Sequence, residues 1–171
     1  MSKTGEYKRI NHEFSPVFDE YSRILILGSF PSVKSREQQF YYGHPQNRFW
    51  KVLAALMNET VPQTVDEKRE FLRHNRIAVW DVVEQCDIIG SSDSSIRSVV
   101  PVDLPWLLGQ THVEEIYVNG GKAYALYQKY LLPVVGRDCV RLPSTSPANA
   151  SYSLDRLTEE WSRLLHIEVA K

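Results

Sequence analysis

A short apolar run that breaks off at a glycine- and proline-containing turn places the strongest limit on the fold. Residues 24–27 are apolar at every position, and the chain then reads GSFPS over residues 28–32. A strand that is apolar on both faces is typical of the centre of a parallel sheet. Ligands of such sheets bind beyond the carboxyl ends of the strands, so the polar residues after this run are predicted to face a ligand site.

Three other segments are also predicted strands: the apolar run at residues 77–83 and the shorter segments VEEIYV at 113–118 and CVRL at 139–142. Helical patterns stand between and after these strands. They begin near Asn47, at the Thr64 capping box, at residues 103–105, after Lys122 and near Ser153. Strands that alternate with helices predict a parallel sheet with helices on both faces. We therefore predict an α/β fold, a three-layer α/β/α sandwich with a central four-stranded, mostly parallel sheet.

Each predicted strand leads into a loop of small and polar residues. The loops are GSFPS at 28–32, DIIGSSDSS at 87–95, NGGK at 119–122 and PSTSPAN at 143–149. Because the carboxyl ends of parallel strands meet at one edge of a sheet, these loops are expected to surround one site. Pro133 is predicted to end the helix after NGGK, since an interior proline lacks the amide hydrogen that a helix uses.

The length of the chain favours one domain. Residues 1–171 are predicted to form a single domain, of which residues 1–22 are an N-terminal lead-in. The lead-in has no period of its own, and its Phe14, Phe18 and Tyr21 are expected to pack onto the domain.

Composition excludes several classes of protein. The hydrophobic share is 43% and the charged share 24%, as in ordinary globular domains. No apolar stretch is long enough to span a bilayer, and the N-terminus lacks the apolar segment of a secretory signal. Two distant cysteines favour a reducing compartment, so we predict a cytoplasmic protein (nucleoid-associated, if prokaryotic) with no metal and no cofactor. The net charge of −1 means that nucleic-acid binding would need a local basic face.

Well-known catalytic and nucleotide-binding motifs are missing from the sequence. It contains no GxxxxGK[ST], no GxGxxG and no HExxH. Serines are frequent in the loops, but none lies in GxSxG, which leaves a serine hydrolase as the weakest alternative.

Aromatic and basic residues alternate in the segment after the first strand. Phe30, Phe40 and Tyr42 offer aromatic faces, and Lys34 and Arg36 offer positive charge. This combination suits a flat base attached to a phosphodiester. The alternative is that the aromatic residues belong to the core and the charges are solvated.

Four segments in the same order resemble the uracil-DNA glycosylase superfamily. They are GSFPSVKSREQQFYYGHPQNRFWKVLAAL, VWDVVEQC with GSSDSSI, VNGGKA and LPSTSPAN. The resemblance covers residues 20–165 and is nearest to the DNA-deoxyinosine (hypoxanthine-DNA) glycosylase branch. It implies a glycosylase-like domain that hydrolyses the N-glycosidic bond of a deaminated base in DNA, chiefly hypoxanthine. A uracil or mismatch-specific glycosylase and a non-catalytic DNA-damage binding module remain the alternatives.

The resemblance implies an unusual catalytic residue. In the mismatch-specific branch the first motif holds an asparagine where this chain has Phe30. In the deoxyinosine branch the asparagine is supplied by the HPxNRFW segment, which implies Asn47 here as the residue that positions the attacking water. Asn47 can alternatively cap the helix that follows it.

The other site residues follow from the same resemblance and the chemistry of base flipping. Predicted base contacts are the backbone of Gly28 and Ser29, the amide of Asn119, and Phe30 with Phe40 or Tyr42. His44 is predicted to contact the leaving base. Predicted DNA contacts are Ser32, Lys34, Arg36 and the loop of Pro143, Ser144, Thr145, Ser146 and Pro147, which is expected to enter the minor groove. The predicted partner is DNA with a damaged base, bound by a monomer.

Overall fold

The computed structural model describes residues 5–166 of the chain. Within this range there are seven strands. They are β1 (Lys8–Asn11), β2 (Ile24–Gly28), β3 (Ile77–Asp81), β4 (Val83–Ile88), β5 (Arg97–Pro101), β6 (Glu115–Asn119) and β7 (Val140–Leu142).

Four of these strands form the parallel sheet that the sequence predicts. Their order is β3-β2-β6-β7, and every pair is parallel. Leu25, Ile26 and Leu27 of β2 are all fully buried. Successive side chains of a strand point to opposite faces, so both faces of the sheet are covered. The predicted α/β fold around a four-stranded sheet is confirmed.

A second sheet, antiparallel and of order β1-β4-β5, was not predicted. The run at residues 77–83 is not one strand, because the chain leaves the parallel sheet after Asp81 and re-enters an extended path at Val83. The predicted loop at residues 87–95 therefore begins two residues later than expected. The alternation of buried and exposed side chains in β4 and β5 is irregular, which hides their period in the sequence.

The described residues also form seven α-helices. They are α1 (Val33–Gln38), α2 (Phe49–Met57), α3 (Val65–His74), α4 (Leu104–Leu108), α5 (Gly121–Leu126), α6 (Leu132–Val135) and α7 (Leu154–Leu164). The predicted capping box at the start of α3 is present, with Thr64 and Glu67 bonded to each other's backbone. None of the helices described in residues 5–166 is long and apolar enough to cross a membrane.

Pro133 does not end a helix, contrary to the prediction. A π-helical turn, Tyr127–Leu131, joins α5 to α6, and Pro133 lies in the first turn of α6. A proline is tolerated there because the first amide groups of a helix have no intrahelical partner. The helix ends instead at Gly136, whose φ of +73° lies in the left-handed region.

The lead-in is more structured than predicted. Its β1 pairs with β4, and Phe14 and Phe18 pack against the core as expected. Tyr21 does not pack, since 60% of its surface is exposed. Residues 1–4 of the lead-in lie outside the described part of the chain.

Candidate active site

Three neighbouring strands of the parallel sheet end in residues that line one cavity. Gly28 ends β2, Asp81 ends β3 and Asn119 ends β6, and Gly28 lies opposite Asp81 in the strand register. The cavity measures about 160 Å³. An engineered cavity of about 150 Å³ is large enough to bind benzene, so the space suits a flat ring system rather than a whole nucleotide.

Most of the residues predicted from the sequence line this cavity. They are Gly28, Ser29, Phe30, Ser32, Tyr42, His44, Asn47, Asn119, Ser144, Thr145, Ser146 and Pro147. The lining is completed by residues that were not predicted as site residues. These are Pro31, Ser35, Tyr41, Asp81, Ser91 and Asp93.

A chain of hydrogen bonds holds Asn47 to the opposite side of the cavity. Asn47 Oδ1 accepts from the Thr145 hydroxyl (2.8 Å) and from the Phe49 backbone N–H (3.0 Å). Thr145 Oγ1 in turn accepts from Asn119 Nδ2 (3.0 Å), and the Thr145 N–H donates to Asn119 Oδ1 (3.1 Å). Asn47 therefore satisfies the first backbone N–H of α2, from the position before the N-cap residue Arg48, and its amide has a fixed orientation. Since Oδ1 already has two donors, Nδ2 is the atom of this amide left to bind a ligand or water.

An aromatic pair forms part of the cavity wall. Tyr42 stacks on Phe49 with ring centroids 3.8 Å apart, so only the other face of Tyr42 is open to a ligand. The φ of Tyr42 is +52°, an uncommon value for a bulky residue. Its hydroxyl is buried and makes no hydrogen bond of normal geometry within residues 5–166. Burial raises the pKa of Tyr42, with the nearby Asp81 adding to the shift and Asn119 opposing it. The phenol is therefore a donor without an acceptor.

Asp81 is the main residue that the sequence predictions missed. Its carboxylate is nearly buried, and Oδ2 lies 2.8 Å from Nε2 of the equally buried His12. The signal for Asp81 was present, since a charged residue that follows the apolar run IAVW at the end of a strand points to a site. His12 gave no such signal, because it lies 69 residues away in the lead-in.

A second carboxyl group lies at the cavity in the loop after β4. Asp93 Oδ1 accepts a hydrogen bond from the Ser29 hydroxyl (2.9 Å). Burial raises the pKa of Asp93, and the bond from Ser29 offsets part of that shift. The Asp93 side chain thus links the first of the four predicted loops to the second.

Arg48 fixes the loop that follows β7. Its guanidinium donates to the backbone carbonyls of Ser146 (2.8 Å), Asn149 (3.0 Å) and Tyr152. The Arg48 N–H also donates to the Thr145 carbonyl (3.1 Å). A planar fork with five donors is suited to hold several carbonyl groups at once. The proline-serine loop is consequently attached to the first turn of α2, next to Asn47.

Four residues predicted for the site do not line the cavity. Phe40 is 1% exposed and stacks on Trp50 in the core, which leaves its face closed to a base. Lys34 pairs with Glu37 on the exposed side of α1, and Arg36 donates to the Gly90 carbonyl (2.7 Å). Pro143 lines a neighbouring cavity together with Lys122 and Arg141.

Several polar side chains at the cavity are used to shape the backbone. The hydroxyls of Ser32, Ser144 and Ser146 each accept from a backbone N–H two or three residues ahead. His44 Nδ1 accepts from the Gln46 N–H (3.1 Å), so a neutral His44 carries its hydrogen on Nε2. Within residues 5–166 there is no cluster of three or more side chains suited to hold a metal ion.

These features define a class of protein. The family model of the uracil DNA glycosylase superfamily matches residues 15–166, nearly the whole of the described chain. The chain belongs to this superfamily, and the predicted resemblance is confirmed.

The names of individual similar proteins are more specific than the name of the superfamily. A hypoxanthine DNA glycosylase from Methanosarcina acetivorans is 36% identical over 151 residues, which cover 88% of this chain and 95% of that protein. A hypoxanthine DNA glycosylase from Methanosarcina barkeri is 33% identical over 137 residues, 80% of this chain and 86% of the relative. A solution NMR structure from M. acetivorans, provisionally described as a uracil DNA glycosylase, matches with a TM-score of 0.75 and 37% identity over 90% of this chain and 95% of that one.

Proposed function

We propose that this protein is a monofunctional DNA glycosylase that removes deaminated bases, chiefly hypoxanthine, by hydrolysis of the N-glycosidic bond. The observation that carries the proposal is the base-sized cavity at the carboxyl ends of the parallel strands, with Asn47 held rigidly in its wall. The names of the two Methanosarcina relatives support hypoxanthine as the main substrate. The protein acts as a monomer on DNA in the cytoplasm.

The target nucleotide is turned out of the duplex so that its base enters the cavity. Breakage of the bond from C1′ to the base leaves oxocarbenium character on the sugar and negative charge on the base. Asn47 Nδ2 holds a water by donating to one of its lone pairs, and the second lone pair of the water attacks C1′. The proton that the water loses passes to the departing base anion, which leaves as the neutral base. A neutral amide is sufficient because a nearly formed oxocarbenium ion needs a positioned water more than a strong base.

The floor of the cavity reads the edge of the base. Tyr42 supplies a hydroxyl donor for the oxygen at position 6 of hypoxanthine, and Asp81 supplies an acceptor for N1–H. The backbone of Gly28 and Ser29 and the amide of Asn119 border the same space, and Phe30 packs against the ring. Adenine presents the opposite pattern of donor and acceptor, and each unpaired buried polar group costs about 1–3 kcal/mol.

The surface around the cavity contacts the DNA backbone. Lys34 and Arg36 of α1 lie outside the cavity and act as phosphate contacts. The proline-serine loop at 143–147, of which residues 144–147 line the cavity, acts as the minor-groove contact, except for Thr145, whose side chain is fully buried. The pair of Lys34 with Glu37 is exposed and weak, so it does not withhold Lys34 from a phosphate. Phe40 is not included, since it lies in the core. His44 is kept as a contact to the leaving base through Nε2.

The test is single-turnover cleavage of labelled duplexes with one hypoxanthine, uracil or xanthine, followed by alkali to break abasic sites. We expect abasic product chiefly from hypoxanthine. Product chiefly from uracil would instead indicate a uracil-specific glycosylase. Tight binding of the lesion without product would indicate a non-catalytic DNA-damage binding module.

The Asn47→Ala variant tests the catalytic assignment. We expect a loss of about 100-fold or more in the single-turnover rate, because a displacement of about 1 Å at a reacting centre already costs that much. The control is Asn58→Gly at the other end of α2, where φ is +54° and glycine keeps the helix end. A folded Asn47→Ala protein with the wild-type rate would remove Asn47 from the mechanism.

A further inference from the structure

A buried imidazole–carboxylate pair lies behind the floor of the cavity. His12 Nε2 is 2.8 Å from Asp81 Oδ2, and the side chains of the two residues are only 1% and 5% exposed. An ionised carboxylate has no hydrogen to donate, so Nε2 carries the hydrogen. The pair thus has a defined direction, from the imidazole to the carboxylate.

The antiparallel sheet brings His12 to this position. His12 directly follows β1, and its backbone N–H donates to the Glu84 carbonyl of β4 (2.7 Å). The ring lies between Phe14 and Tyr41, with centroids 4.6 Å and 5.8 Å away. Its Nδ1 is buried and has no partner within residues 5–166. The contact to Asp81 is therefore the hydrogen bond that orients the ring.

The other carboxylate oxygen of Asp81 lies beside Gly28, and both residues line the base-sized space. No described residue donates to Oδ1, and Asp81 lines the cavity. A Cβ placed on Gly28 would lie only 2.5 Å from Oδ1, so this oxygen lies directly against the glycine backbone. A carboxylate oxygen beside a cavity, with no donor among residues 5–166, is free to accept a hydrogen bond from a ligand N–H.

We propose that His12 is a positioning residue for base specificity. By holding Oδ2 of Asp81, His12 directs Oδ1 at the ring N–H of the flipped base, which is N1–H in hypoxanthine. Adenine carries a lone pair at N1, which would face the carboxylate oxygen and be repelled. This role rests on the proposed function, because it assumes a base in the cavity, and it gives the N-terminal lead-in a part in substrate selection.

The test combines variants of the protein with a change in the base. Single-turnover rates are measured on duplexes with hypoxanthine and with 1-methylhypoxanthine, in which a methyl group replaces the hydrogen on N1. Wild type should prefer hypoxanthine strongly. In His12→Leu the rate on hypoxanthine should fall about 10- to 100-fold, while the rate on 1-methylhypoxanthine changes little, so that the preference collapses. His12→Gln, whose side-chain NH₂ can replace Nε2–H, should restore most of the preference.

A second variant keeps the test independent of the folding of His12→Leu. In Asp81→Asn the His12 N–H retains the amide oxygen, which turns the amide nitrogen toward N1–H as an opposed donor, and the preference should again collapse. His112→Gln is the matched control, since His112 bonds only the exposed Glu20 carbonyl, and it should leave both rates unchanged.

The outcomes separate the two proposals. A wild-type protein that releases no hypoxanthine overturns the proposed function and this inference with it. If the wild-type protein is active, two results would overturn the role of His12 alone. Either His12→Leu and Asp81→Asn lose cleavage rate equally on both bases, or they keep the wild-type preference for hypoxanthine. Melting curves of all variants determine whether an equal loss of rate on both bases is accompanied by a loss of structure.

Discussion

Thr145 is the residue whose replacement tests the rigidity of the site most directly. Its hydroxyl donates to Asn47 Oδ1 and accepts from Asn119 Nδ2, and the side chain is fully buried. Thr145→Val keeps the shape of the side chain and removes only these two bonds. Asn119 Nδ2 then loses its acceptor, and Asn47 is held through the Phe49 N–H alone.

The size of the effect follows from the two bonds. A neutral hydrogen bond contributes about 1 kcal/mol net, and a buried group left without a partner costs about 1–3 kcal/mol. The free energy of unfolding should therefore fall by about 2–4 kcal/mol. In a chain of this length each kcal/mol lowers Tm by about 2–4 °C, so a fall of roughly 5–15 °C is expected. The freed Asn47 amide should slow the single-turnover rate on hypoxanthine about 10- to 100-fold.

Two measurements check this, calorimetric melting and single-turnover cleavage at saturating enzyme. The Thr145→Ser variant is the control, because it keeps the hydroxyl and loses a methyl group, so its rate should stay near that of wild type. A Thr145→Val protein with the wild-type rate would refute the claim that this hydroxyl orients Asn47. Equal rates for the serine and valine variants, both reduced, would show that the methyl packing matters instead.

Three further changes have defined outcomes. Gly28→Ala places a methyl 2.5 Å from Asp81 Oδ1, so we expect a folded protein with at least about 100-fold slower cleavage, and wild-type cleavage would mean that the base binds elsewhere. Arg48→Lys keeps the charge but cannot reach all the loop carbonyls, so limited proteolysis should cut residues 143–152 faster than in wild type. An unchanged cleavage rate would contradict the attachment of this loop to Arg48. Burial raises the pKa of Asp93 in the folded chain, so the stability linked to its proton is full below the unfolded-state pKa and is lost as pH rises through the folded-state pKa. Asp93→Asn should accordingly raise the urea midpoint at pH 7.5 more than at pH 3.5, and a gain independent of pH would contradict the burial effect.

The parallel sheet and the position of the site could be predicted from local patterns. Residues 24–27 are apolar at every position, which is a signal contained in four residues, and the turn after them marks the carboxyl end of the strand. Asn47 was found through a resemblance, and the structure adds that its amide oxygen is already occupied.

The missed features depend on contacts between distant parts of the chain. The pairing of His12 with Asp81 joins residues 69 positions apart, and no local period carries it. The π-helical turn Tyr127–Leu131 separates α5 from α6, so Pro133 lies in the first turn of a helix and not in a helix interior. Phe40 and Tyr42 are both aromatic residues of the same segment, and the sequence does not distinguish them. In the structure Phe40 stacks on Trp50 in the core, whereas Tyr42 stacks on Phe49 and lines the cavity.

In the DNA recognition that we propose, the attachment of the loop to Arg48 determines whether the protein or the duplex changes shape. Because Arg48 holds residues 145–152 to the first turn of α2, the entrance to the cavity is set before DNA arrives, and little conformational entropy is lost by the protein on binding. The work of binding then falls on the duplex, which must unpair and unstack one nucleotide. A weakly paired lesion opens at lower free-energy cost than a normal base pair. With a rigid entrance, the stability of each base pair therefore selects which nucleotide leaves the duplex, before the protein contacts the base.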